Sequence, residues 1–337
     1  MNTVKVWFNH WFSTAYHIIN MLKEDDGIRF VVVGSNAVKD CVYRAVCDEW
    51  HTEPILKDIE AYVDFCVNFC VEREIDVFVP RRNMLAVSRR LAEFDAIGVK
   101  VLVERDFTTM SALSDKAKTY RALEDSGVGC IPPYRIAKSV SEFESAYFSL
   151  KTDNNRICMK FASDEGAVSF RVIDDRFTDS LTEEIGKKIP YENAIKALKK
   201  LKKFHKLLVM PYLPGAEVSV DCLPMPDAEH VAIPRYKTRG RSEVIKHDPV
   251  IIDMCKFVLD YLKLSCPCNI QFKYDGGAPY LLEINARMSG GIQLACASAG
   301  INIPNIAVNR LLGVHKKQTW NKKERVMSFI ETPVIMR

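Results

Sequence analysis

The sequence predicts an α/β protein that opens with a small doubly wound parallel sheet. Short β-rich runs at 4–8, 28–33, 76–80 and 99–103 alternate with helical stretches at 14–23, 40–49, 59–72 and 84–97. That order favours parallel strands with helices on both faces. The chain of 337 residues is long enough for more than one domain, and 48% hydrophobic with 27% charged residues is an ordinary globular composition. The loop after the first run, Asn9-His10-Trp11-Phe12-Ser13, holds no glycine, and the second run ends in the lone Gly34. Without a G-x-G-x-x-G turn there is no cradle for a dinucleotide pyrophosphate, which argues against a nicotinamide-dependent dehydrogenase.

Composition excludes further classes. A net charge of +4 is too mild to argue for nucleic acid. The densest basic run, Lys199-Lys200-Leu201-Lys202-Lys203, falls in a predicted helix over 191–204 with Ile195, Leu198 and Leu201 at near-helical spacing. It reads as a solvated helix face. The eleven cysteines include Cys66-x3-Cys70 and Cys266-Pro-Cys268, but no pair of pairs at zinc-site spacing. They read as buried thiols of a reducing compartment. The first residues lack the plan of a signal peptide, and no apolar stretch approaches a membrane span. A cytoplasmic protein without nucleic-acid or membrane partners is the expectation.

A second region begins near Asp115-Lys116 with a predicted helix over 116–126, followed by Gly127, Gly129 and Pro132-Pro133. Residues 156–161 read as a strand carrying Lys160, and a loop containing Gly166 leads to another short strand. The apolar run 207–210 enters Pro211-Tyr212-Leu213-Pro214-Gly215, and alternation over 217–222 puts Glu217, Ser219 and Asp221 on one face. After a predicted helix over 249–262, Asp275-Gly276-Gly277 joins strands at 269–274 and 280–285 as a hairpin.

That hairpin carries the most informative pattern. Glu283, Asn285 and Arg287 alternate along the second strand, so they share one face, and Gln271 points toward them from the first. A carboxylate with amide oxygens, and no His or Cys, suits Mg²⁺ or Mn²⁺. Arg287 follows where an anion on that metal belongs. Three polar residues are equally the pattern of an edge strand with a solvated face. Gly290-Gly291 at a helix start offers either an anion site or an ordinary cap.

Gln271 with Glu283-x-Asn285-x-Arg287 resembles the metal-binding hairpin of the ATP-grasp superfamily, and is most similar to the ATP-binding halves of the carbamoyl phosphate synthetase large subunit. The resemblance extends upstream. Asp115-Lys116 resembles the opening of the ATP-grasp region in biotin carboxylase and its relatives, and Lys160 matches the second phosphate-binding lysine. Val209-Met210-Pro211-Tyr212-Leu213-Pro214-Gly215 with Glu217 resembles the hinge that holds adenine and ribose. Order and spacing agree from about residue 111 to 313.

The resemblance implies a pre-ATP-grasp Rossmann-like domain at 1–110 and a two-lobed α+β ATP-grasp domain. Its small lobe would cover 111–208 and its large lobe 209–313, with a C-terminal extension at 314–337. It implies ATP as cofactor, with Pro211 supplying a carbonyl and Leu213 an N–H to adenine. Glu217 would meet the ribose, while Lys116, Lys160 and Gly166 meet the phosphates. It implies a metal on Gln271, Glu283 and Asn285. Two departures stand out: Pro211 replaces a frequent Glu, and Gly166 is the one glycine left in a flap usually rich in them.

Between the ribose strand and the hairpin, Arg235-Tyr236-Lys237-Thr238-Arg239-Gly240-Arg241 holds four cations in seven positions. Similar proteins bring this loop toward the terminal phosphates and the acyl substrate. Arg239 and Arg241 are therefore candidates beside Arg287, and a solvated basic loop is the alternative. The implied activity is ATP-dependent ligation of a small carboxylate to an amine through an acyl phosphate, with these small molecules as partners and, by analogy alone, a homodimer. The chain has length for one such unit where the synthetase uses two, so carbamoyl phosphate synthesis by it alone is not expected. A non-ligating nucleotide sensor of the same fold is the second class.

Overall fold

The first strand already sets the architecture. In the computed structural model, described over 2–153, 155–164, 168–176, 187–201, 204–238, 240–315 and 319–335, Asn2–Asn9 forms strand β1. It pairs in parallel with β2 (Ile28–Asn36), which pairs with β3 (Glu49–Thr52). On its other side β1 pairs in parallel with β4 (Val77–Val79), and β4 with β5 (Lys100–Val101). The order β3-β2-β1-β4-β5 is the expected doubly wound sheet, and its topological switch lies between β1 and β4. Both faces of β1 are buried. Trp7 stacks on Phe78 at 4.2 Å and packs on Phe69, while Val6 and Phe8 join Ile18, Ile19 and Leu22 of the helix Ala15–Lys23.

Two expected helices differ from the structure. The helix expected over 40–49 is a single 3-10 turn, Val42–Val46, and β3 begins at Glu49. Here the sheet overrides local propensity: the Asp48 carboxylate accepts the Val32 N–H at 2.7 Å, and the Asp48 N–H donates to Val32 O at 2.8 Å. Gly34 is explained by the same packing, since a Cβ there would lie 2.4 Å from Cys47 Sγ and 2.8 Å from Trp50. The helix expected over 84–97 is broken into Met84–Arg89 and Leu91–Ala96. Arg90 sits at the break, its guanidinium drawn to Glu93 and to Asp64 of the helix Ile59–Glu72.

The chain divides into two compact units. One comprises Met1–Met110, Val218–Ile270 and Asn285–Arg337, and the other Ser111–Glu217 and Gln271–Ile284. Within the second unit a five-stranded sheet is built from β6 (Arg135–Ala137), β7 (Ile157–Phe161), β8 (Arg171–Ile173), β9 (Lys188–Ile189) and β10 (Leu207–Pro211), in the order β6-β10-β7-β8-β9. Phe143, Tyr147 and Leu150 of the helix Val140–Leu150 pack with Ala194, Ile195 and Leu198 on this sheet. The helix carrying that second trio, Tyr191–Lys200, stops short of the expected 204 because the chain turns extended at Leu201. Lys199 and Lys200 are exposed on its outer face, and Lys202 and Lys203 lie outside the described residues.

The remaining strands are β11 (Glu217–Leu223), β12 (Val231–Lys237), β13 (Ser242–Ile245), β14 (Cys268–Asp275), β15 (Ala278–Asn285) and β16 (Arg325–Ser328). Their order is β15-β14-β11-β12-β13-β16. The expected hairpin is thus β14–β15. The unit boundaries at 270/271 and 284/285 fall inside its two strands. In the first unit the helices Ile292–Ala299 and Ile303–Leu311 bury Ile292, Ala295, Ile303 and Ile306 in the same core as β1. All eleven cysteines are free thiols, and all but Cys41 and Cys47 are buried. Among the described residues no helix is long and apolar enough to cross a membrane.

Candidate functional site

In the second unit the helix Lys116–Glu124 begins at a capped turn. Asp115 accepts the Ala117 and Lys118 N–H groups at 2.9 and 3.1 Å, and its other oxygen takes Lys206 Nζ at 2.9 Å. This fixes Lys116 at the first helical position. Its N–H donates to Ala162 O at 2.9 Å, its Nζ donates to Asp164 O at 2.5 Å, and Nζ lies 3.2 Å from Glu283 Oε2. Lys160, on β7, donates from Nζ to Leu282 O at 3.5 Å. Burial pulls the Lys160 ammonium down to about 8, aided by the Lys116 charge and opposed by Glu283. Two ammoniums therefore gather around one carboxylate in a partly enclosed space. Two cations sharing one anion favour a polyanion, which supplies further negative charge to both lysines.

Tyr120 ties the same helix to β15. Its hydroxyl lies 2.9 Å from Leu281 O and 3.0 Å from Leu282 O, and Leu281 N–H donates to Cys130 O at 2.7 Å. The fully buried phenol is held well above its usual range, chiefly by burial. It therefore acts as a donor that sets the distance from Lys116 to Glu283. Tyr120→Phe is expected to cost about 1–3 kcal/mol in urea unfolding, the cost of two buried carbonyls losing a shared donor.

Met210 and Pro211 close β10, where the Tyr212 N–H donates to Arg156 O at 2.7 Å. The Tyr212 ring carries the Arg156 guanidinium at 4.7 Å and the Lys273 ammonium at 5.4 Å. Gly215 N–H donates to Tyr274 O at 2.9 Å, and Tyr274 N–H returns to Ala216 O at 3.0 Å, so the segment is pinned to β14. Leu213 is buried, and among the described residues its N–H makes no hydrogen bond. Glu217, half-buried, opens β11. Of the expected flap, Gly166 lies outside the described residues. Beside it the Asp164 carboxylate accepts the Ser169 N–H at 2.6 Å and the Ser169 hydroxyl at 2.7 Å, which closes the loop at its base.

Gln271 and Glu283 belong to this second unit, on neighbouring strands, and Asn285 follows Glu283 by two positions on the same face of β15. Among the described residues no group of three or more His, Cys, Asp or Glu side chains could hold a metal. The expected donor set is one carboxylate with amide oxygens. That chemistry fits a hard cation arriving with its own phosphate ligands, as Mg²⁺ commonly does.

The first unit supplies a constellation that the sequence pattern did not single out. Arg235, 3% exposed, donates from Nε to Asp221 Oδ2 at 2.7 Å, pairs through Nη1 with Glu243, and reaches Ser219 and Ser289 hydroxyls from Nη2 at 3.2 and 3.1 Å. Burial opposes its charge, but the Asp221 and Glu243 carboxylates outweigh burial and hold it firmly cationic. Asn269 braces the other Asp221 oxygen at 3.0 Å. Gly291 is required here, since a Cβ would lie 2.4 Å from Arg235 Nη1. The only signals in the sequence were the alternation that set Asp221 beside Ser219 and the cation-rich stretch opening at Arg235. Of the two residues favoured in that stretch, Arg239 lies outside the described residues, and Arg241 is exposed and paired with Glu331. Arg287 donates to Met288 O at 3.2 Å and lies 5.6 Å from the Phe12 ring centroid.

Comparison with known proteins supplies the context. Residues 203–332 match the family described as ATP-grasp in the biosynthetic pathway with Ter operon. The carbamoyl phosphate synthase large chain of Clostridium acetobutylicum is 20% identical over 340 residues, 91% of this chain, and this chain spans 30% of that relative. Among solved structures, N5-carboxyaminoimidazole synthetase from Staphylococcus aureus complexed with ADP superposes with a TM-score of 0.73 at 11% identity, covering 98% of this chain and 83% of that one. L-amino acid ligase from Bacillus licheniformis superposes with a TM-score of 0.66 at 16% identity, covering 92% and 75%.

Proposed function

We propose that this chain, which has the ATP-grasp fold, is an ATP-dependent ligase that activates a small carboxylate as an acyl phosphate and joins it to an amine. The observation that carries the reading is the Lys116–Glu283–Lys160 cluster, two ammoniums about one carboxylate. Lys116 and Lys160 would hold the phosphate chain as point charges. The Leu213 N–H and Pro211 carbonyl would take the adenine edge, and Glu217 the ribose. Glu283 with Gln271, joined along β15 by Asn285, would hold Mg²⁺ or Mn²⁺, which when bound neutralises phosphate charge that otherwise repels an incoming carboxylate. Arg287 would orient that carboxylate and stabilise the oxyanion as the amine displaces phosphate. The carboxylate oxygen forms the bond to the γ-phosphorus, ADP leaves, and phosphate leaves in turn from the acyl carbon.

ADP release measured with Mg-ATP across a panel of carboxylates and amines tests the reading. Release that needs both an acid and an amine supports ligation. Tight ATP binding with no release under any mixture replaces it with a nucleotide sensor.

Lys160 gives the site a pH signature. With the ammonium at about 8 in the nucleotide-free protein, it is charged at neutral pH and loses its proton as pH rises through that value. Phosphates favour the charged form, so ATP binding near pH 8 takes up a proton. Affinity then falls by at most about tenfold per pH unit above it. Calorimetry in two buffers of different ionisation enthalpy reads this uptake directly. Proton-neutral binding across that range removes Lys160 from the phosphate site.

A further inference from the structure

The first unit alone lines a cleft of about 420 Å³, a volume within the range of small-molecule sites. It opens between the turn that joins β11 to β12, the C-terminal end of the helix Pro249–Tyr261 and the last turn of the helix Ile303–Leu311. None of the residues expected to meet ATP, metal or the reacting carboxylate lines it. Its floor is apolar: Leu223, Pro224, Leu259, Leu264, Pro267 and Ala307 are all buried. Its polar lining is confined to His230, Asp260, Lys263, Ser265 and Arg310.

Three of those five are already engaged. Arg310 forms a two-pronged pair with Asp227, one prong at 3.3 Å. Ser265 donates its hydroxyl to Glu104 at 2.9 Å. His230 Nδ1 accepts the Met225 N–H at 2.8 Å, so the ring proton sits on Nε2, 2.8 Å from Asp260 Oδ1. That bond orients Asp260 without giving it a counter-charge, and the Asp260 side chain is 73% exposed. Among the described residues no lysine or arginine lies within ion-pair distance of Asp260, and no carboxylate within that distance of Lys263.

Both side chains stand where the backbone favours another residue. Asp260 lies in the last turn of its helix, where the carbonyl ends oppose a carboxylate. Lys263 has left-handed backbone at φ 50°. Around it the Leu264 N–H returns to Leu259 O at 3.0 Å and the Lys263 N–H to Asp260 O at 3.1 Å, a helix ending whose left-handed residue is usually glycine. A carboxylate and an ammonium kept against local preference, on the wall of one apolar cleft, point to binding rather than folding.

We infer that this cleft is a second binding site, for a zwitterion with an apolar body: an apolar amino acid or a dipeptide of such residues. The ligand's ammonium meets Asp260, its carboxylate meets Lys263, and its apolar side chain covers Leu223, Leu259 and Leu264. A monocarboxylate would face Asp260 unpaired, and a simple amine would face Lys263, so each single charge is disfavoured.

Leucine-methyl NMR of the full chain, without nucleotide or metal, reads binding and its place together. The probes are millimolar L-leucine, leucyl-leucine, glycine, N-acetyl-leucine and leucinamide. Leucine or leucyl-leucine is expected to shift the Leu223, Leu259 and Leu264 methyls, and the tighter of the two names the source. Glycine lacks the apolar body, and N-acetyl-leucine and leucinamide each lack one charge, so all three should bind severalfold more weakly or not at all. Asp260→Asn keeps an acceptor for His230, and Lys263→Gly relieves the left-handed backbone. Both variants should therefore melt no lower than the wild type, while weakening the probe severalfold each and about tenfold together. Three results would each overturn the site: none of the three methyls moves with either leucine probe, glycine or a singly charged analogue binds as tightly, or the double variant binds like the wild type. Should a variant melt early, the analogue series alone decides. Because no nucleotide is present, these outcomes are independent of whether the chain is a ligase.

Discussion

Replacing Glu283 by glutamine is expected to abolish Mg-dependent ADP release, a loss of about three orders of magnitude. The change keeps the shape of the side chain and an oxygen donor, and removes only the charge. That charge has two tasks. It is the single carboxylate in the proposed metal set, and it stands 3.2 Å from Lys116 while raising the affinity of Lys160 for its proton. In Glu283→Gln the two ammoniums lose their shared counter-ion, so Lys160 should titrate lower still. Metal-free ADP should bind as well as to the wild type or better, because its phosphates no longer displace a carboxylate. Stopped turnover with retained ADP binding is therefore the expected pair of results, read by coupled assay and calorimetry. Full activity in this variant refutes the metal assignment.

The largest stability effect should come from Arg235. Its guanidinium is almost wholly buried and serves Asp221, Glu243, Ser219 and Ser289 at once. Arg235→Met fills similar space but leaves the carboxylates of Asp221 and Glu243 without their cation, a loss of about 3–5 kcal/mol in urea unfolding. Arg235→Lys should recover little of it, because one ammonium cannot reproduce a planar fork with separate partners on separate edges. A value within about 0.5 kcal/mol of the wild type would show that the network tolerates its loss as an ordinary surface position does.

The two residues also mark the limit of what was legible in the sequence. Glu283 was singled out because alternation along a strand fixes which side chains share a face, whereas its ion-pair partner Lys116 lies on a separate helix with no local sign. Arg235 could not be singled out, because Asp221, Glu243 and Ser289 reach it from three separate segments. A cation-rich loop gives no sign of which guanidinium turns inward, and Arg241 in the same stretch turns out to Glu331. The doubly wound sheet was legible from alternating apolar runs, yet β3 was missed. What makes residues 49–52 a strand is pairing with β2 and the grip of Asp48 on Val32, not local propensity. The break at Arg90 was hidden for the same reason, since Asp64 lies 26 residues away in sequence. The turn after β10 was legible as a string of Pro, Tyr and Gly, but the tie of Tyr120 to the Leu281 carbonyl of β15 spans 161 residues of sequence and has no local sign.

The central claim is that the γ-phosphate of ATP is passed to a substrate carboxylate before the amide forms. It is tested most directly by supplying an acid that supports ADP release with oxygen-18 in its carboxylate, and analysing the phosphate set free with the product. Transfer through an acyl phosphate puts one labelled oxygen into each phosphate. Phosphate released without label, at a rate matching amide formation, would contradict the account.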